Sequence, residues 1–111
     1  MRLGATNLLE IRPNCELCDC DLPADSSKAM ICTYECTYCS DCVTGPLENV
    51  CPTCGGGLTQ RPIRPKQNWR DGKSLGLEFH PASDKRYHSP YSEEDLQAHT
   101  DRIKDIPVEK R

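Results

Sequence analysis

Apolar residues occur in short runs along the first half of the chain, and turn-forming residues separate the runs. The runs at 8–12, 28–32 and 58–61 each predict a short strand. Residues 36–43 predict a turn followed by a short helix, which Gly45-Pro46 ends. Elements this short predict a small module with little regular structure, containing a short β-hairpin and one short helix.

The second half of the chain contains one helical pattern, close to its end. Ser92 is a predicted N-cap, and the three acidic residues after it suit a helix N-terminus. Leu96, His99, Ile103 and Ile106 then follow at spacings of three, four and three residues. An isolated helix of about 15 residues is marginal in water, so we expect this helix to pack on the module or against a partner.

Between these two regions lies a charged stretch that prolines interrupt repeatedly, which is typical of a linker or of disorder. The sequence therefore predicts three parts. They are a cysteine-rich domain over residues 1–65, an extended linker over 66–91 and a C-terminal helix over 92–106.

Large apolar residues are too few to fold this chain by themselves. Leu, Ile, Val and Phe together number 19, or 17% of the 111 residues, a proportion typical of chains that do not fold unaided. Nine cysteines lie between Cys15 and Cys54. No run resembles a secretory signal or a membrane span, so we expect a cytoplasmic, reducing location without membrane association. There, cysteines at short spacing indicate metal binding rather than disulfides.

The charge distribution argues against nucleic acid as a partner. Residues 1–54 hold three basic and eight acidic side chains, whereas residues 55–111 hold eleven basic and nine acidic ones. Thiolates bound to metal would make the first half still more negative, and nucleic-acid binding depends on Lys and Arg. Only the segment 61–73, which includes Trp69, is locally basic. We expect Trp69 to fold back onto the small domain.

Eight of the nine cysteines form four closely spaced pairs, which predicts two zinc ions with four thiolate ligands each. The predicted ligands are Cys15, Cys18, Cys32, Cys36, Cys39, Cys42, Cys51 and Cys54. Sequential sharing would join the first pair to the second, and interleaved sharing would join the first pair to the third. The ninth thiol, Cys20, is expected to be an unliganded surface cysteine, the alternative being ligand exchange or a redox switch beside Cys18.

The cysteine spacing resembles that of the RING finger, with variable loops of thirteen and eight residues and Cys36 in a position that often holds histidine. Leu17 occupies a position where that family keeps an apolar residue. The resemblance implies a treble-clef cross-brace in which the zinc sites interleave. Their ligands would be Cys15, Cys18, Cys39 and Cys42 at one site, and Cys32, Cys36, Cys51 and Cys54 at the other. It also raises ubiquitin-ligase activity as an alternative, although Gly55 stands where such ligases usually carry Arg or Lys.

A closer resemblance covers residues 8–65, where the paired cysteines occur together with DLP at 21–23 and CGG at 54–56. This stretch resembles a bacterial family known as domain of unknown function 1272. The resemblance implies the same eight paired cysteines as ligands. It implies no activity.

These observations together predict a non-enzymatic zinc-binding module that presents a rigid surface to an unidentified protein partner. Leu17, the segment 43–50 and the C-terminal helix are the candidate contact surfaces. An iron–sulfur cluster on Cys36, Cys39, Cys42 and Cys51 remains a chemical alternative. The three histidines are expected to face solvent rather than to bind metal.

Overall fold

The computed structural model describes residues 8–111 and contains a small antiparallel sheet with two helices. Its strands are β1 (Ala29–Ile31), β2 (Thr37–Cys39) and β3 (Thr59–Gln60), in the order β2-β1-β3. The helices are α1 (Ser40–Thr44) and α2 (Glu93–Ile103), and a 3-10 turn follows at Val108–Lys110. No helix in this described range is long and apolar enough to cross a membrane.

The predicted elements agree with β1, β3 and α1, but two differences are informative. Residues 8–12 were predicted as a strand and form none. Ile11 has a φ of 58°, which interrupts an extended chain, and its side chain is buried instead. Residues 37–39 were predicted as a turn but form β2, because their backbone pairs with β1, so that Ala29 lies opposite Cys39.

The core depends on sulfur as much as on hydrocarbon. Half of the twelve residues in its buried cluster are cysteines. The remaining members include Leu22, Tyr38, Val43 and Leu47, none more than 3% exposed. The segment 43–50, a candidate contact surface by sequence, therefore directs its main apolar side chains inward, because so small a core needs them. They are not available to a partner.

Arg61 is buried although it carries a positive charge, with only 2% of its surface exposed. Its guanidinium donates hydrogen bonds to the carbonyl oxygens of Arg12, Leu22 and Pro23, at 2.8, 3.2 and 3.0 Å. Desolvation lowers the pKa of Arg61 from its ordinary value. By sequence this residue begins the locally basic segment 61–73, and in the structure it joins the end of the sheet to two separate loops.

Residues 66–91 contain no helix or strand, and their last part lies along the cysteine-rich domain. The backbone N–H of Ser89 donates to the carbonyl of Glu16 at 2.7 Å, and the Tyr87 hydroxyl donates to Glu10 at 2.6 Å. Arg86 forms ion pairs with Asp19 and Asp21. These contacts attach the segment to the loop that holds the first cysteines. The division of the chain into three parts stays a prediction.

Helix α2 begins where the sequence predicts, since the Ser92 hydroxyl accepts the Asp95 N–H at 3.1 Å. It packs on the domain: the Nε2 atom of His99 lies 2.9 Å from the carbonyl oxygen of Cys51. A Cβ added at Gly55 would lie 3.2 Å from the Ile103 side chain. The expectation that His99 faces solvent is therefore wrong, because the helix presents it to the chain turn around Cys51.

Candidate metal centre

Seven thiols gather into two groups. The Sγ atoms of Cys15, Cys18, Cys20 and Cys39 all lie within 4.8 Å of one another, and those of Cys32, Cys36 and Cys51 do the same. We call these groups the first centre and the second centre. The sulfurs of Cys18 and Cys39 are 3.7 Å apart. Four sulfurs at the zinc–thiolate bond length of about 2.3 Å around a tetrahedral ion would be about 3.8 Å apart, so this spacing suits a metal ion.

Two turns of the same construction position the outer cysteines of these centres. In the turn over residues 15–20, the Cys15 N–H donates to the Cys20 carbonyl and the Asp19 N–H donates to the Cys15 carbonyl, both at 2.9 Å. In the turn over residues 51–56, the Cys51 N–H donates to the Gly56 carbonyl and the Gly55 N–H donates to the Cys51 carbonyl, again both at 2.9 Å. We call these the first cysteine turn and the last cysteine turn.

Both cysteine turns require a left-handed backbone at the residue after their second cysteine. Gly55 has a φ of 78° there, and Asp19 has a φ of 66° at the equivalent position. Glycine adopts this conformation at no steric cost. Aspartate tolerates it better than most residues do, and Arg86 holds the Asp19 carboxylate at 3.0 Å. The first cysteine turn thus brings the thiols of Cys15 and Cys18 into one group, whereas the last cysteine turn brings only that of Cys51 into the second group.

The inner cysteines come from the sheet and from α1. Cys32 and Cys36 lie at the ends of a tight connection between β1 and β2, in which the Cys32 N–H donates to the Cys36 carbonyl at 3.2 Å. Cys39 ends β2, and Cys42 follows on α1. The hairpin of β1 and β2 therefore has its connecting turn at the second centre and the end of β2 at the first centre.

The sequence that forms these centres matches a described family. Residues 8–64, just over half of the chain, match the family described as "Protein of unknown function (DUF1272)". The chain belongs to this family. It is 59% identical over 58 residues to an uncharacterised protein of Rhizobium meliloti (strain 1021), an alignment that covers 52% of this chain and 69% of that protein. No solved structure matches the chain.

The cysteine groups of this DUF1272 domain combine the first pair with Cys39 of the third pair, and the second pair with Cys51 of the fourth. Cys42 lies outside the mutually close group of four thiols but borders it, since it lines one cavity together with Cys18, Cys20 and Cys39. Cys54 is exposed and lies outside the second group, although its backbone N–H donates to the Cys51 sulfur. The complete set of eight ligands stays a prediction.

The main correction at the site of this DUF1272 domain concerns Cys20. The sequence predicts an unliganded surface thiol. Cys20 is indeed exposed, but its Sγ atom belongs to the first centre. The first cysteine turn explains this position, because it folds residue 20 back against residue 15. Cys20 comes only two residues after Cys18, and this spacing was the sequence signal that both thiols could reach one ion. The division of the cysteines into four pairs left Cys20 out.

Hydrogen bonds among the thiols already favour thiolates at specific positions. The backbone N–H of Cys20 is the main cause that lowers the pKa of Cys18 to about 7. The hydrogen bond from the Cys51 thiol lowers the pKa of Cys36 to about 6. Desolvation and neighbouring thiols raise the pKa of Cys20 to about 12 and that of Cys32 to about 11. Each centre of the DUF1272 domain therefore offers one thiolate that can bind a cation. A bound cation would then favour ionisation of the remaining thiols.

Proposed function

We propose that this protein is a non-enzymatic zinc-binding module that holds two zinc ions in a RING-like cross-brace and presents its surface to a protein partner. The observation that carries the proposal is the interleaving of two separate thiol groups by one short hairpin. A cross-brace requires this pattern, since each ion then joins segments that are distant in sequence. If adjacent cysteine pairs shared an ion instead, each ion would link only segments that are neighbours in the sequence.

The donor set suits zinc. Both groups offer sulfur, the ligand type of closed structural zinc sites. Rotation of the exposed Cys54 side chain would give the second centre its fourth thiolate, because the last cysteine turn already carries this residue beside Cys51. Sites closed by four thiolates keep no position for a substrate, which supports a structural role for the metal.

Three alternatives receive less support. An iron–sulfur cluster would use Cys36, Cys39, Cys42 and Cys51 together, yet Cys36 and Cys51 belong to the second centre and Cys39 to the first. A nucleic-acid surface would use the basic segment 61–73, but Arg61 and Arg64 donate hydrogen bonds to backbone carbonyls within the chain.

The ligase alternative depends on an open surface around Leu17. In the structure this surface forms one side of a groove, and helix α2 forms the other side. Leu17 and Leu47 line the first side and Leu96 lines the second. The chain's own helix therefore borders the surface that a conjugating enzyme would need. Gly55, in place of a basic residue, also weighs against this activity.

We expect the protein purified under reducing conditions to contain two zinc ions per chain. Elemental analysis and native mass spectrometry measure this number directly. Cys36→Ser should lose one zinc because it removes a member of the second centre, whereas His88→Ala, which changes an exposed imidazole, should keep both. Iron with a brown colour, or no bound metal at all, would contradict the proposed zinc sites.

The partner surface that the structure favours includes Trp69. Its side chain is 80% exposed, so the expectation that it folds back onto the domain is wrong. Tryptophan is enriched among the residues that dominate binding energy at protein interfaces. Lys66, Arg70 and Lys73 lie in the same exposed segment, and they favour a partner with an acidic surface.

We expect Trp69→Ala to weaken the complex with a partner captured by the intact protein roughly 30-fold, a typical loss at an interface hot spot. Because Trp69 is the only tryptophan of the chain, its emission should shift to the blue when a tryptophan-free partner fragment is added. Leu75→Ala, a change at another partly exposed apolar residue of this segment, serves as the control. An unchanged dissociation constant for Trp69→Ala would exclude this surface.

A further inference from the structure

The first centre has five thiols available, one more than a tetrahedral ion binds. We propose that Cys20 and Cys42 are interchangeable fourth ligands of the ion at the first centre, so that this centre exchanges its ion readily while the second centre holds its ion firmly. The inference rests on the proposed function, because it requires metal at both centres.

The positions of the thiols support two alternative ligand sets. Cys15, Cys18 and Cys39 are common to both, and Cys20 already completes a mutually close group of four with them. Cys42 borders this group, because it lines one cavity together with Cys18, Cys20 and Cys39. A rotation of the Cys42 side chain toward this cavity would make its thiol the fourth ligand in place of Cys20.

Comparison of the two cysteine turns shows that the Cys20 thiol is not needed to build its turn. Gly56 occupies the equivalent position of the last cysteine turn, accepts the same hydrogen bond from residue 51, and donates its N–H to the Cys54 sulfur at 3.4 Å. The backbone of Cys20 likewise accepts from Cys15 and donates to the Cys18 sulfur. A glycine thus suffices for the fold, and the side chain at residue 20 adds a fifth donor at a fixed place.

The centres differ in the number of thiols available for exchange. A cavity of about 560 Å³ is lined by Cys18, Cys20, Cys39 and Cys42, and one of about 820 Å³ is lined by Cys32 and Cys54 among other residues, so an acceptor of the ion can reach both centres. Cys18 and Cys20 of the first centre are exposed, whereas Cys32, Cys36 and Cys51 are buried and Cys54 beside them is exposed. Zinc can expand to five ligands, so an incoming thiolate can bind before the outgoing one leaves. In the described residues the first centre alone offers such an extra thiolate.

The test is the zinc content of four variants, measured after passage over a chelating resin under reducing conditions. Cys42→Ser and Cys20→Ser should each retain two zinc ions per chain, because the remaining thiol takes the fourth position. The double variant Cys20→Ser/Cys42→Ser should retain one. Cys36→Ser is the matched control and should also retain one, because the second centre has no additional thiol in the described residues.

Substitution with Co²⁺ supplies a second measurement, since its absorption spectrum distinguishes four thiolate ligands from three. The Cys42→Ser spectrum should match that of the wild type, and the double variant should lose half of the thiolate absorption. Transfer of zinc to a chromogenic chelator should occur in two phases of equal amplitude, and Cys20→Ser should slow the faster phase alone.

The outcomes separate this inference from the proposed function. A wild-type protein without zinc would overturn both. A wild type with two zinc ions and a Cys42→Ser variant with one, or a Cys42→Ser variant that fails to fold, would overturn the exchange of ligands and leave the zinc module intact. Equal release rates from both centres in the wild type would also overturn it.

Discussion

Removal of zinc by a strong chelator under reducing conditions is expected to unfold the cysteine-rich domain completely. Structural zinc supplies an apparent free energy of about 10–16 kcal/mol in small peptides, which equals or exceeds the whole net stability of an ordinary domain. Half of the buried cluster consists of cysteines, so the remaining apolar side chains cannot replace the ions. Stripped of metal, the thiolates of each centre would also repel one another.

Far-UV circular dichroism and the dispersion of amide NMR signals measure this unfolding. Emission from Trp69 is a poor probe, because the side chain is already 80% exposed in the folded chain. Addition of Zn²⁺ should restore the folded spectrum, and addition of Mg²⁺, which prefers oxygen ligands, should not. A chain without metal that still unfolded cooperatively would refute the view that metal stabilises this fold.

Substitution Arg61→Ala should lower the free energy of unfolding by roughly 3–5 kcal/mol at saturating zinc, which places it among the most damaging changes outside the cysteines. The guanidinium satisfies three carbonyl oxygens from Arg12, Leu22 and Pro23. Alanine would remove this donor from the Arg12 and Leu22 oxygens beside a new cavity, and the Pro23 oxygen would keep only the Ser26 N–H. Urea unfolding followed by circular dichroism measures the difference.

Arg70→Ala is the matched control, because Arg70 is exposed and comes from the same basic segment. It should change the free energy of unfolding by less than about 0.5 kcal/mol. Arg61→Lys should be intermediate, since an ammonium group cannot reach all three carbonyls with the planar geometry of the guanidinium. A loss at Arg61→Ala as small as that of the control would show that the buried guanidinium does not stabilise the fold.

Local features of this protein could be predicted from the sequence. The N-cap at Ser92 acts on the Asp95 N–H three residues away, and Gly45 ends α1 through a bond to the Asp41 carbonyl. The positive φ of Gly55 is also a local feature, because the last cysteine turn, which contains it, spans only six residues. Interactions that span so few residues leave a recognisable pattern in the chain.

Other features arise only when distant segments meet. Ile11 adopts a left-handed φ rather than a strand, and the Glu10 N–H before it donates to Glu35 at 2.7 Å, across 25 residues. His99 reaches Cys51 over 48 residues, and Arg61 reaches Arg12 over 49. In each case the burial or the bonding partner depends on the path of the whole backbone.

The sequence by itself determined three properties of the chain. Its cysteines occur in pairs at sequence spacings typical of metal ligands, its large apolar residues are too few for an ordinary core, and one capped helix lies near its end. These properties follow from composition and from contacts within a few residues. The tertiary structure alone decided that Cys20 joins the first centre, that Arg61 is buried and that Trp69 is exposed. The physical reason is that grouping and burial depend on which segments the hairpin and the cysteine turns bring together in space, and residue order does not specify that.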